Sequence, residues 1–279
     1  MSTLEPVDFH GLKAVRLRSG DGASALVTLQ GAQVVSWMAS NRREQLFVSE
    51  RNSFVPGHPI RGGVPVVFPQ FSKRGPLAQH GFARNNPWTL VNHEARGLEA
   101  HARFAFESTP ETLRLWPHPF AAELNVRLAA QHLEMELLVR NTGQGALSFT
   151  TALHTYLAVS DAAKARLEGL SGMRYEEFGN AGVDSNPGIP AEGLVDRFYF
   201  DVPEKTRLVD GDREVVISQR GFRDTVVWNP GRENTAAMAD MAPDGYLRML
   251  CVEAAIVQSA VELRPGETWT GAQHLEVTR

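Results

Sequence analysis

Only one cysteine, Cys251, occurs in the 279 residues of the chain. An intramolecular disulfide is therefore impossible, and a zinc site built from several thiolates is excluded. No apolar run approaches the roughly 20 residues that a membrane-spanning helix requires. The opening residues 1–8, MSTLEPVD, lack the basic-then-apolar order of a secretory leader. A cytoplasmic protein is expected. Neither a Gly-x-Gly-x-x-Gly nor a Gly-x-x-x-x-Gly-Lys-Ser/Thr loop is present to cradle nucleotide phosphates. His80, His101, His118, His132 and His154 show no His-x-x-x-His or Glu-x-x-His spacing. The expectation is thus no cofactor and no metal. The most pointed deficit is local. Residues 51–93 contain no aspartate or glutamate, although 32 acids in 279 residues would put about five in a stretch of that length. The same stretch carries Arg51, Arg61, Lys73, Arg74 and Arg84. Guanidinium groups without internal carboxylates are free to bind an external anion. The gap can also be chance.

The composition present is that of an ordinary globular protein, 43% hydrophobic and 22% charged, with formal net charge -4. An acidic chain is not a general nucleic-acid or membrane-surface binder. Period-two alternation dominates. Leu133, Met135, Leu137 and Val139 alternate with Glu134, Glu136 and Arg140, as in a half-buried strand. Residues 124–129 do the same, and Gln131-His132 is predicted as the tight turn between the two. Further strands are predicted at 14–18, 24–29, 34–38, 99–107, 147–156, 213–218, 225–229, 247–257 and 268–277. No window supports a long amphipathic helix. Many short strands without helical crossovers imply antiparallel sheets stacked as a sandwich, and one domain over residues 1–279. The Gly/Asn/Pro-rich residues 179–193 read as a long surface loop.

Three side chains stand out against this pattern. Glu253 lies inside an apolar run, where an ionised carboxylate costs several kcal/mol unless it is paired or solvated. Burial raises its pKa towards the range of a useful base, although a glutamate bonded to a core arginine fits the same pattern. By alternation His154 shares a face with Thr150, Ala152, Tyr156 and Ala158, while Leu153, Leu157 and Val159 point the other way. Imidazole on a small, polar face suits a proton-exchanging cleft, or it is simply structural. His80 sits between Gln79 and Gly81 in a loop that ends at Arg84, a combination able to hydrogen-bond a polyhydroxylated ligand. The five tryptophans could stack on sugar faces or anchor a core.

Six segments, in order, carry a resemblance: Ile60-Arg-Gly-Gly-Val-Pro-Val-Val-Phe-Pro69, Gln79-His-Gly-Phe-Ala-Arg84, Leu153-His-Thr-Tyr156, Val195-Asp-Arg197, Thr225-Val-Val-Trp-Asn-Pro230 and Met249-Leu-Cys-Val-Glu253. Together they closely resemble the hexose-6-phosphate mutarotases of the aldose 1-epimerase superfamily. The resemblance implies an all-β, antiparallel β-supersandwich that interconverts the α and β anomers of hexose 6-phosphates. A monomer is the default expectation, since no residue pattern sets an oligomeric state. It also implies His154 as general acid and Glu253 as general base, with Arg61, Gln79, Arg84 and Asp196 binding substrate and His80 as an added sugar contact. Lys73 and Arg74 are further cations nearby. Gly231 stands where such proteins often carry an aromatic residue, which is expected to loosen that loop. Two other functions fit the same sandwich: a mutarotase for unphosphorylated aldoses and a non-catalytic sugar-phosphate-binding module.

Overall fold

The computed structural model describes residues 2–191 and 193–278. Strands β1 (Thr3–Phe9), β2 (Leu12–Arg18), β3 (Ser24–Thr28) and β4 (Val34–Met38) form a four-stranded meander. The strands that follow are β5 (Val66–Val67), β6 (Thr89–Arg96), β7 (Glu99–Glu107), β8 (Phe120–Ala129), β9 (His132–Asn141), β10 (Leu147–Leu153) and β11 (Tyr156–Ala158). Next come β12 (Arg166–Glu168), β13 (Arg174–Glu177), β14 (Asn180–Val183), β15 (Gly188–Pro190) and β16 (Leu194–Tyr199). The last five are β17 (Lys205–Asp210), β18 (Arg213–Arg220), β19 (Asp224–Pro230), β20 (Met249–Leu263) and β21 (Thr268–Val277). An eight-stranded sheet runs β14-β13-β16-β19-β20-β10-β5, with β11 also paired to β20. A nine-stranded sheet runs β15-β12-β17-β18-β21-β9-β8-β7-β6. The fold is therefore all-β and antiparallel, with two six-residue helices, α1 (Pro110–Leu115) and α2 (Gly231–Ala236).

Alternation explains how the layers meet. Leu133, Met135, Leu137 and Val139 of β9 are fully buried, as are Leu250, Val252, Ala254 and Ile256 of β20, and all join one core that also contains Val15, Val27 and Trp37 of the meander. Each of these Leu, Met, Val and Ile side chains contributes about 1.5–3 kcal/mol on burial. The other face of β20 bears Cys251, Glu253 and Ala255, which lie outside that core. Hence the candidate site side chains sit on the outer face of the eight-stranded sheet, roofed by the 50–84 loops.

Several expectations need correction. The β8–β9 turn is Ala130-Gln131, because Ala129 pairs with His132, which is already in the strand. The described residues of 179–193 are not one loop, residue 192 lying outside them. They hold β14, which completes a hairpin with β13, and β15, which pairs with β12. The 247–257 strand begins later, at Met249, after a 3₁₀ turn over Gly245–Arg248, and runs on to Leu263. The 147–156 strand breaks after Leu153. Gly231 does not loosen its loop: it opens α2 with φ +65°, and its N–H donates to Asn229 Oδ1 at 2.9 Å. Asn229 Nδ2 in turn donates to the carbonyls of Ala191, Tyr246 and Met249.

Candidate active site

The break between β10 and β11 places His154. Its N–H donates to the Pro65 carbonyl at 3.0 Å, and the chain re-enters the sheet at Tyr156, whose N–H donates to the Gly63 carbonyl at 2.9 Å. Gly63 has φ +61°, and a side chain there would strike the backbone of Val34. Only glycine lets the 60–64 segment pass so close, and that passage carries Arg61 to the same edge. Asn52 fixes the Arg61 backbone, accepting from its N–H at 2.7 Å and donating to its carbonyl at 3.0 Å.

Glu253 projects from the middle of β20 and is 1% exposed. Its Oε1 lies 3.3 Å from His154 Nδ1. The contact is close but poorly aligned, and it leaves His154 Nδ1 and Glu253 Oε2 without a hydrogen-bond partner among the described residues. Burial, reinforced by the Asp196 charge, raises the Glu253 carboxyl well above the usual carboxylate range, against the pull of Arg84. Burial lowers His154 well below the usual imidazole value, and His80, Arg84 and Arg61 add to the effect. These surroundings favour a neutral acid and a neutral imidazole. Moving one proton between them gives the carboxylate–imidazolium pair with no change in total protonation. The Tyr156 ring stacks on His154 with centroids 4.6 Å apart and planes 11° from parallel, fixing the imidazole plane.

His80 takes the left-handed conformation, φ +67°, directly before Gly81. Its Nδ1 accepts from the Ser72 N–H at 3.3 Å, which assigns the neutral ring its proton at Nε2. Burial, then Arg84 and Arg61, pushes its pKa down to about 3. His80 is therefore a neutral donor at physiological pH. Arg84 Nη2 donates to the Gln79 carbonyl at 3.0 Å, and its Nε has no hydrogen-bond partner among the described residues. Asp196, on β16, is raised in pKa chiefly by burial and then by Glu177.

All seven residues singled out from the sequence, Arg61, Gln79, His80, Arg84, His154, Asp196 and Glu253, line one cleft of about 540 Å³. Tyr156, Trp228, Phe198 and Asp240 line it as well. One expectation fails there. Arg61 is not free of carboxylates, since its Nε lies 2.9 Å from Asp240 Oδ2. Outside the cleft, Arg74 pairs with Glu176 at 2.6 Å. The acid-free stretch borrows counter-charges from residues far away in sequence, which a window count cannot see. Tyr156 was legible as the i+2 neighbour of His154 on one strand face; Asp240 carried no signal. Gln273 was also missed. Fully buried, it accepts from the Thr155 hydroxyl and donates to the Val252 carbonyl at 3.0 Å. It thus ties together the residue after His154 and the residue before Glu253.

The family model described as aldose 1-epimerase matches residues 13–276. A protein of Cenchrus ciliaris named "Putative glucose-6-phosphate 1-epimerase" is 37% identical over 278 residues, covering 94% of this chain and 83% of that one. The Escherichia coli K12 protein of the same name is 32% identical over 269 residues, with 91% and 87% covered. A crystal structure titled as a "putative mutarotase" from Salmonella typhimurium superposes with TM-score 0.91 at 28% identity, covering 98% and 93% of the two chains. A galactose mutarotase-like protein of Clostridium acetobutylicum shares the fold, with TM-score 0.80 at 18% identity over 100% and 99% of the chains.

Proposed function

Because the chain belongs to the aldose 1-epimerase family, we propose that it is a glucose-6-phosphate 1-epimerase, a cytoplasmic monomer that interconverts the α and β anomers of hexose 6-phosphates. Anomer exchange requires a base for the C1 hydroxyl proton and an acid for the ring oxygen. Both oxygens are bonded to C1, so acid and base must lie side by side. The observation that carries the reading is the 3.3 Å approach of Glu253 to His154 in a cleft also lined by Arg61, Arg84, Asp196 and Asp240. Glu253 takes the hydroxyl proton while His154 protonates the ring oxygen. The ring opens to the aldehyde, C1–C2 rotation presents the other carbonyl face, and reclosure reverses both transfers. No bond to the protein forms. Each transfer contributes roughly 10²–10⁴-fold. Neutral His80 donates from Nε2 to a sugar oxygen, and Gln79 and Asp196 supply further polar contacts.

The sugar phosphate is supported by Arg84, which reaches the cleft with no carboxylate within ion-pair distance among the described residues, and by the names of the two relatives above. A second reading, anomerisation of an unphosphorylated aldose, is favoured by the Asp240 contact, which already offsets the charge of Arg61. Polarimetry on freshly dissolved α-glucose 6-phosphate beside α-glucose separates the two. Strong acceleration of the phosphorylated sugar alone is expected; preference for glucose selects the second reading, and binding without acceleration of either leaves a non-catalytic module.

A further inference from the structure

We propose that His132, His274 and Glu276 form a site for a divalent transition ion of the zinc type on the outer face of the nine-stranded sheet. Ligand atoms of the three residues lie within 4.8 Å of one another. The β9–β21 ladder sets this up: His132 pairs directly with Glu276, and Glu134 with His274, so period two puts all four side chains on the face away from the core. His132 Nδ1 and His274 Nε2 face each other at 3.1 Å. Two imidazole nitrogens, each about 2.05 Å from a shared ion, subtend about 98° at that separation, within reach of a tetrahedral site with solvent in an open position. Glu276 Oε1 lies 4.0 Å from Nε2, the other nitrogen of the His132 ring, and a turn of its half-exposed carboxylate towards the Nδ1 side makes it the third ligand.

The surroundings supply orientation. Glu134 Oε2 lies 3.7 Å from His274 Nδ1, the ring nitrogen left over when Nε2 ligates, and a carboxylate there holds the ring and its tautomer. Nearby Arg127 pairs with Glu134 and Arg220 chiefly with Glu136, so their charge is directed to those carboxylates rather than to Glu276. Glu134, His132 and His274 line a hollow of about 220 Å³ that admits a hydrated ion. Two imidazoles and one carboxylate suit zinc better than magnesium or calcium, which prefer all-oxygen shells. The site is separated from the cleft by the core of the sandwich, so it stands apart from the proposed epimerase activity. An ion there would brace two central strands. The linear spacing gave no hint, since the two histidines are 142 residues apart.

Zinc titrated by calorimetry into chelator-stripped, tag-free protein tests the site, with magnesium as the hard-cation control. One-to-one uptake of zinc is expected, weakened roughly tenfold or more in His132→Ala, His274→Ala and the volume-conserving Glu276→Gln, and unchanged in His154→Ala. No stoichiometric uptake by the wild type would overturn the proposal. So would equal uptake by the His132→Ala/His274→Ala double variant, or loss confined to His154→Ala.

Discussion

Arg84 reaches the cleft with Nη2 held by the Gln79 carbonyl and Nε without a partner among the described residues, a cation oriented before any ligand arrives. A charged hydrogen bond contributes about 1.5–3 kcal/mol, so Arg84→Ala is expected to lower kcat/KM for glucose 6-phosphate about 10- to 100-fold. The loss should be far smaller for glucose, and steady-state kinetics on both sugars measures it; equal losses contradict a phosphate contact. His80 shapes stability against pH. Folded His80 takes a proton only near pH 3, whereas the unfolded side chain takes one near 6.5. The unfolded state therefore binds more protons in between, and stability falls as pH drops through that window. Glu253 acts with the opposite sign: its raised pKa contributes stability below the ordinary carboxylate range, lost as pH rises through its folded value. Asparagine tolerates the left-handed backbone at position 80. Denaturant titrations at pH 7 and pH 4 should show His80→Asn losing on the order of 3 kcal/mol less than the wild type; identical losses contradict the burial argument. At this scale the sequence was informative wherever a residue broke its own local pattern, as Glu253 does in an apolar run. It was silent on Asp240, whose partner Arg61 lies far away along the chain.

The proposed catalytic pair is held by elements rather than by a loop. β20 offers Glu253 from a strand buried on both faces, and the β10–β11 break offers His154 beside it. Gln273 of β21 spans the core to join Val252 and Thr155. Gln273→Leu leaves the Thr155 hydroxyl only its long contact to the Leu153 carbonyl and takes the side-chain donor from the Val252 carbonyl, and small misplacements of a catalytic pair are costly. A fall in kcat of about tenfold is expected, with KM nearly unchanged. An unaltered kcat in a folded variant contradicts the positioning role. The long alternating strands, such as β8 and β9, were legible because one face is core and the other solvent. β6 and the β13–β14 hairpin were not. Their residues are mostly exposed or half-buried, so no apolar period marks them, and pairing with a neighbouring strand creates them. Gly231 misled for a related reason: its fit against Leu194 and its bond to Asn229 exist only after folding.

Across the whole molecule, the meander and both large sheets drain into a single hydrophobic cluster, from Val15 and Trp37 through Leu137 to Val252. A shared core couples the layers, so calorimetry is expected to show one unfolding transition with calorimetric and van't Hoff enthalpies equal, from a species of monomer mass. Two resolved transitions would argue that the meander folds as a separate unit. The sandwich was readable from alternation alone, whereas its concave cleft was not: that required the chain to bring residues 61, 84, 154, 196 and 253 together, and only the ordered resemblance anticipated it. The most direct test is the anomer exchange rate of glucose 6-phosphate at equilibrium, followed by magnetisation transfer between its two C1 signals. Wild-type protein should accelerate the exchange strongly and Glu253→Gln should return it to within a small factor of the spontaneous rate, a loss of roughly 10²-fold or more; near-normal exchange in the glutamine variant would show that Glu253 is not the base.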